Sequence, residues 1–217
     1  MFKEEKLNET IMVVRGSDLF RGHQFTGFLP YHVIDYKTII LDKYGWMTRG
    51  FAEEDPNYKQ PIAYSMVFNP DTKQVFAFQR SKIDKAYPEK KLQGKWSWGI
   101  GGHIEKSDLN SSGQIVGSDP IIGSMLRELH EEVDVDGTIH SSVLGYINDN
   151  DNVGKVHFGI LYLIKTNAKE IKPKDPEIAE GKLRNINQLE EICASKDVEG
   201  WSRIAFNALK NLVNPRQ

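Results

Sequence analysis

The run Arg127-Glu128-Leu129-His130-Glu131-Glu132, in a segment opened by Asp119 and Pro120, places the tightest limit on what this chain can become. An Asp side chain can cap exposed N–H groups, and a proline in the first helical turn gives up no hydrogen bond. The pair therefore predicts a helix from Pro120 to about Val133. At ~100° per residue, Glu128, Glu131 and Glu132 share an arc of roughly 100°. Ile121, Ile122, Met125, Leu126, Leu129 and Val133 fill the adjoining arc. Such a helix packs on a core and carries three carboxylates at the edge of a cleft. Like charges at this spacing cost roughly 0.2–0.5 kcal/mol per pair, and the C-terminal half of a helix disfavours anions further. Arg127 offsets one charge, whereas a hard divalent ion with oxygen ligands offsets the set. The plainer alternative is a solvated acidic face.

Upstream, the residues from Trp96 to Glu105 read as a strand that breaks at the glycine pair Gly101-Gly102. There the backbone can turn tightly and bring its own carbonyls close to a ligand or ion. Together, Gly101 to Glu105 and the 127–132 run resemble the Nudix box of the Nudix (MutT-like) hydrolases. Its signature is Gly, five residues, Glu, seven residues, then Arg-Glu-apolar-x-Glu-Glu-x-Gly-apolar. Gly102 opens the match, which then departs from the signature in three places. Asp108 stands where the family has Glu; a polar insertion around Asn110 to Ser118 lengthens the gap to Arg127; Asp134 replaces the glycine after the glutamate pair. Asp adopts the left-handed conformation of a helix stop less readily than Gly. Over about residues 60 to 185, the wording Trp-Ser-Trp-Gly-Ile-Gly-Gly-His-Ile behind a basic segment is also similar to a group of bacterial MutT-type proteins described as predicted phosphoesterases.

The resemblance implies an α+β Nudix fold, with a mixed β-sheet sandwiched between α-helices (α/β/α). It also implies a metal-dependent hydrolase that cleaves a pyrophosphate bond in a nucleoside diphosphate linked to a further group, X. Metal coordination falls to Glu128, Glu131 and Glu132, aided by the carbonyl of Gly102. Mg2+ or Mn2+ is the expected ion, because carboxylate, carbonyl and water are hard donors. Arg127 anchors the loop to the helix through a carboxylate, either Asp108 or Glu105, and Glu105 is alternatively a group that orients water. Arg127, Glu128, Glu131 and Glu105 form the candidate catalytic set. Two other readings stand beside this one. A nucleotide- or phosphate-binding regulatory protein with the Nudix fold and no turnover would be consistent with Asp108 and Asp134. An isopentenyl-diphosphate isomerase-like protein would use an active-site cysteine, whereas Cys193 falls in a late helix, after the sheet.

Residues 1 to about 58 read as an N-terminal extension or small lobe, and 59–217 as the hydrolase domain. Ile11 to Val14 predicts a strand and Arg15 to Asp18 a turn; Thr38 to Leu41 is a strand or the core of a short helix. Phe20, Phe25, Phe28, Tyr31 and Tyr36 suit a packed lobe better than a base-stacking platform, and that lobe could serve a homodimer. Ile62–Phe68 and Gln74–Arg80 read as strands joined by a turn at Asn69 to Thr72. Arg80 and the lysines 82, 85, 90, 91 and 95 then form a basic connection, in which Arg80 and Lys95 are the candidate phosphate-binding residues. Thr138–Ile147 and Lys155–Lys165 read as two further strands, and residues 187–194 and 201–213 as closing helices. His157 reads as a satisfied core histidine, and neither His103 nor His130 has partners at zinc spacing, so no zinc site is expected. The segment from Asp175 to Arg184 resembles the place where Nudix proteins set an additional acid near the metal, here Glu177 or Glu180.

A formal charge of −2 and a pI near 6.3 give no general attraction to nucleic acid or membrane. The expected partner is a small nucleotide-like substrate. A single cysteine permits no intrachain disulfide and suits a reducing cytoplasm. No signal peptide or apolar run of membrane-spanning length is evident.

Overall fold

The computed structural model describes residues 6–82, 91–111, 119–150, 154–194 and 197–213. Lys85, Lys90 and most of the insertion before α5 lie outside them. In chain order the elements are β1 (Thr10–Arg15), α1 (Gly16–Phe20), β2 (Gly27–Pro30), α2 (Tyr36–Lys43), β3 (Gly45–Thr48), α3 (Arg49–Ala52), β4 (Tyr58–Asn69), β5 (Gln74–Arg80) and β6 (Trp96–Ser97). There follow α4 (Asp108–Ser111), α5 (Pro120–Glu132), β7 (Val133–Val135), β8 (His140–Asn148), β9 (His157–Lys165), β10 (Ile171–Pro173), β11 (Ile178–Arg184), α6 (Ile186–Ala194) and α7 (Gly200–Val213).

Among the described residues the main sheet runs β11-β5-β4-β9-β8-β2, with β1 joined to β3 and β4, and β6 to β5. The pairs β4–β5, β5–β11 and β2–β8 are antiparallel. The N–H of Gln60 donates to Val156 O at 2.6 Å and that of Thr166 to Phe68 O at 2.9 Å. Matching starts and matching ends make β4 and β9 parallel, so the sheet is mixed. These two strands are buried almost throughout, as a parallel pair covered on both faces must be. The expected α+β fold, a mixed sheet with flanking helices, is what forms.

Two compact units divide the chain. The first comprises Met1–Tyr64, Gly101–Arg127 and Val143–Leu161. Within it Ile11, Val13 and Ala52 form a core packed by Met47 and Tyr58. Tyr36 is the centre of an aromatic group, with ring centroids 5.7 Å from Phe25, 5.2 Å from Tyr146 and 5.3 Å from Phe158. Tyr36 and Phe25 of the N-terminal segment thus pack with Tyr146 of β8 and Phe158 of β9 rather than only among themselves. Asp35 settles the ambiguous 38–41 segment as helix: its carboxylate accepts from Thr38 N at 3.1 Å and Thr38 Oγ1 at 2.7 Å. The turn expected at Arg15 to Asp18 is instead the start of α1, which buries Leu19 and Phe20.

The second unit comprises Ser65–Ile100, Glu128–Ser142 and Tyr162–Gln217. Asn69 makes the expected turn, its Oδ1 accepting from Asp71 N at 2.9 Å and Thr72 N at 3.1 Å. Trp98 is buried and packs on Phe206 of α7, with ring centroids 5.8 Å apart. Ser202 of the same helix places Oγ 3.2 Å from Trp98 N, which donates to it. No helix among the described residues is long and apolar enough to cross a membrane.

A candidate metal and phosphate site

Helix α5 begins as its sequence dictates. Asp119 Oδ1 accepts from the N–H groups of Ile121 and Ile122 at 3.0 and 3.3 Å, and Ile121, Met125 and Leu129 are buried. In the first unit its approach to the glycine loop is fixed by two close contacts. A Cβ on Gly101 would run into the carbonyl of Ala63 in β4, and a Cβ on Gly123 into the carbonyl of Asp108. Neither position needs a positive φ; close passage of backbone is what demands glycine there.

That approach lets Arg127 reach the loop. Its Nε donates to Asp108 Oδ1 at 2.8 Å and its Nη2 to Asp108 Oδ2 at 3.2 Å, a forked ion pair on a fully buried carboxylate. Nη2 also donates to the carbonyl of His103 at 2.9 Å. Glu105, the other candidate anchor, stands 4.0 Å from Nη2 and accepts from Ser107 Oγ at 3.2 Å. The anchor is therefore Asp108. A second acceptor bond ties the loop to itself, because Asp108 Oδ2 takes the Glu105 N–H at 2.8 Å.

In the second unit the three glutamates of α5 differ in exposure: Glu131 is exposed, Glu128 half-buried and Glu132 buried. Glu132 Oε2 has no hydrogen-bond partner among the described residues. Burial pushes its carboxyl up to about 8; Arg80 opposes the shift, and Glu128, Asp175 and Glu177 add to it. Of the two acids expected after the box, Glu177 therefore lies within electrostatic reach of Glu132, while Glu180 is exposed on β11. Asp175 belongs with Glu177 and was missed, although it heads the same turn: its Oδ1 accepts from Glu177 N at 2.7 Å. Glu128, Asp175 and Glu177 thus lie within electrostatic reach of this buried carboxylate, but among the described residues the acids of α5 do not gather three ligand atoms within 4.8 Å of one another.

The third departure from the signature has a structural cause in this unit. Helix α5 passes directly into β7, where Asp134 pairs with Lys172 of β10, so no left-handed residue is required. The carbonyl of Glu132 accepts from Lys174 N at 2.8 Å and that of His130 from Lys174 Nζ at 2.5 Å. Lys174, the residue after β10, thus does the capping that a terminal glycine would do elsewhere.

Arg80, a candidate phosphate ligand, is buried, and its Nε donates to Glu199 Oε1 at 2.6 Å. Lys95 is half-buried, with its carbonyl on Arg80 N at 2.9 Å. Cys193 lies in α6, where burial pushes its thiol up, away from the thiolate an isomerase would need. In the first unit His103, whose partners the sequence does not reveal, meets His157. Their Nε2 atoms are 3.2 Å apart, and Glu53 stands 3.9 Å from His103. Burial first, then the charges of Arg49, His157, Lys6 and Arg127, hold the His103 ring well below the usual imidazole range.

Residues 59–205 match the NUDIX domain, and the chain belongs to the Nudix family, whose hydrolases typically use divalent metals. It is 30% identical over 213 residues to protein YmaB of Bacillus subtilis (strain 168), covering 94% of this chain and 99% of that one. The crystal structure of Tm1382 is similar across 94% of this chain and 100% of its own, with a TM-score of 0.74 and 27% identity. The NUDIX hydrolase from Alicyclobacillus acidocaldarius shares the fold over 72% of this chain and 93% of its own, with a TM-score of 0.57 and 13% identity.

Proposed function

We propose that the protein hydrolyses a pyrophosphate bond in a nucleoside diphosphate linked to a further group X, using Mg2+ or Mn2+. The observation that supports this reading is Glu132, whose buried Oε2 has no hydrogen-bond partner among the described residues and whose carboxyl is raised by burial and by neighbouring acids. Glu128, Glu131 and Glu132 are assigned to hold the ion, with Glu177 of the same unit as a further oxygen donor. A bound divalent ion would neutralise charge on the pyrophosphate and lower the pKa of a coordinated water.

The chain's own residues do the rest. Arg127 stays on Asp108 and so fixes the start of the carboxylate run on α5; it acts as a positioning residue. Glu105 is held near Arg127 by its own N–H on Asp108, with its carboxylate partly exposed to orient water or take a proton. Arg80, ion-paired to Glu199, contributes positive potential near Glu132 and is proposed with Lys95 to attract phosphate oxygens. Residues 1–58 are proposed as an extension that shapes substrate choice.

The test is product release from a panel of nucleoside triphosphates, nucleotide sugars, ADP-ribose, dinucleotide polyphosphates and coenzyme A, with Mg2+ or Mn2+. Wild type is compared with Glu131→Gln, which should lose about 100-fold or more of the metal-dependent rate. Absence of turnover across the panel, with nucleotide binding intact, would replace hydrolysis with a binding role.

A further inference from the structure

We propose that Glu53, His103 and His157 bind a transition-metal ion of the zinc class, at a centre built from residues other than the α5 carboxylates. Their ligand atoms all lie within 4.8 Å of one another. No other group of three His, Cys, Asp or Glu gathers so closely among the described residues.

The first unit assembles this group through its strand pairing. Gln60 N donates to Val156 O at 2.6 Å, so the next residue, His157, lands beside the start of β4. Two residues further along β4, Ile62 bridges to His103. Gln60 and Ile62 share a face by the two-residue period of a strand. Glu53 ends α3, which follows β3; β3 pairs with β1, and β1 bridges through Ile11 to Glu105, two residues past His103.

The geometry suits coordination. Two ligands at ~2.0–2.1 Å from a tetrahedral zinc stand roughly 3.3–3.4 Å apart, and the two Nε2 atoms are separated by 3.2 Å. Gln60 Oε1 approaches the same His103 Nε2 to 2.7 Å. Gln60 is fully buried, and its amide Nε2 has no hydrogen-bond partner among the described residues. Two ring nitrogens, an amide oxygen and a carboxylate thus converge; without an ion, a proton on His103 Nε2 serves the Gln60 oxygen, which can only accept. A cation would replace that proton and draw the lone pairs of both rings and the Glu53 carboxylate to one point. Arg49 orients the carboxylate from outside, its Nε donating to Glu53 Oε1 at 3.4 Å. Two imidazoles and one carboxylate favour zinc, cobalt or iron over magnesium or calcium, which take oxygen ligands. Three protein ligands leave a fourth position for water or an anionic oxygen.

Chelator-stripped, full-length protein titrated with Co2+, then Zn2+, tests this directly. One Co2+ per chain should give the visible absorption of a low-coordinate nitrogen–oxygen site, displaced by Zn2+ and unaffected by excess Mg2+. His157→Gln and Glu53→Gln should bind at least about 10-fold more weakly, while Glu131→Gln binds as wild type does. If a variant fails to fold, wild-type 15N spectra still decide, since Zn2+ should shift two imidazole Nε2 resonances. Absence of Co2+ binding, unmoved imidazole resonances, or binding lost in Glu131→Gln but kept in His157→Gln would overturn the proposal. None of these readouts depends on turnover, so failure here and failure of the hydrolase reading are separable.

Discussion

Asp108 is one methylene shorter than the glutamate of the family signature, yet both its oxygens reach Arg127, at 2.8 and 3.2 Å. Removing it strands a guanidinium that is only 20% exposed. Asp108→Ala should therefore lower stability by about 3 kcal/mol, the lower end of the range for breaking a buried pair, because Arg127 keeps some solvent and the His103 carbonyl; urea unfolding measures it. Glu132 gives a pH prediction for the metal-free protein. Its folded pKa, about 8, exceeds the 4.5 of an ordinary glutamate, so the folded state binds the extra proton between those values. The contribution of Glu132 to stability should fall as pH rises from about 4.5 to 8, by at most ~1.4 kcal/mol per pH unit, and level off above, while the depressed His103 acts with the opposite sign below 6.5. Denaturant midpoints of wild type and Glu132→Gln in a chelating buffer across that window isolate it, since the stability of wild type relative to the variant should fall with rising pH.

Elements meet at two places where one atom decides the packing. Helix propensity alone favours Gly123→Ala by up to ~1 kcal/mol. The added Cβ would run into the Asp108 carbonyl, so the substitution should instead destabilise by about 1–3 kcal/mol, the usual cost of overpacking, and loosen the Arg127 anchor. Thermal unfolding with either sign separates the two effects. At the other end of α5, restoring the family's glycine by Asp134→Gly should bring no gain. Residue 134 is already extended and paired with Lys172, so the added backbone freedom costs about 0.5 kcal/mol or more.

At the scale of the whole molecule, a divalent ion that binds only the folded chain must stabilise it. Mn2+ at about 100 times its dissociation constant should add roughly 2.7 kcal/mol, seen as a raised thermal midpoint that is lost in Glu132→Gln. An unchanged midpoint in wild type would argue against the carboxylate site. The sequence by itself determined what is local. The Asp119-Pro120 start, the 3.6-residue stripe of α5, the alternating strands around Asn69 and the glutamates on one face all depend on neighbours within a few residues, where backbone preference and hydrophobic period act. Only the tertiary structure chose between Asp108 and Glu105, gave Arg80 to Glu199 and brought His157 to His103, partners 19, 119 and 54 residues apart respectively. Such choices follow from the parallel register of β4 and β9, from close backbone passage at Gly123, and, for Arg80, from Trp96, whose carbonyl accepts from Glu199 N at 3.0 Å. No period in the sequence encodes them, because the chain between the partners is free to close in many ways until the core fixes one.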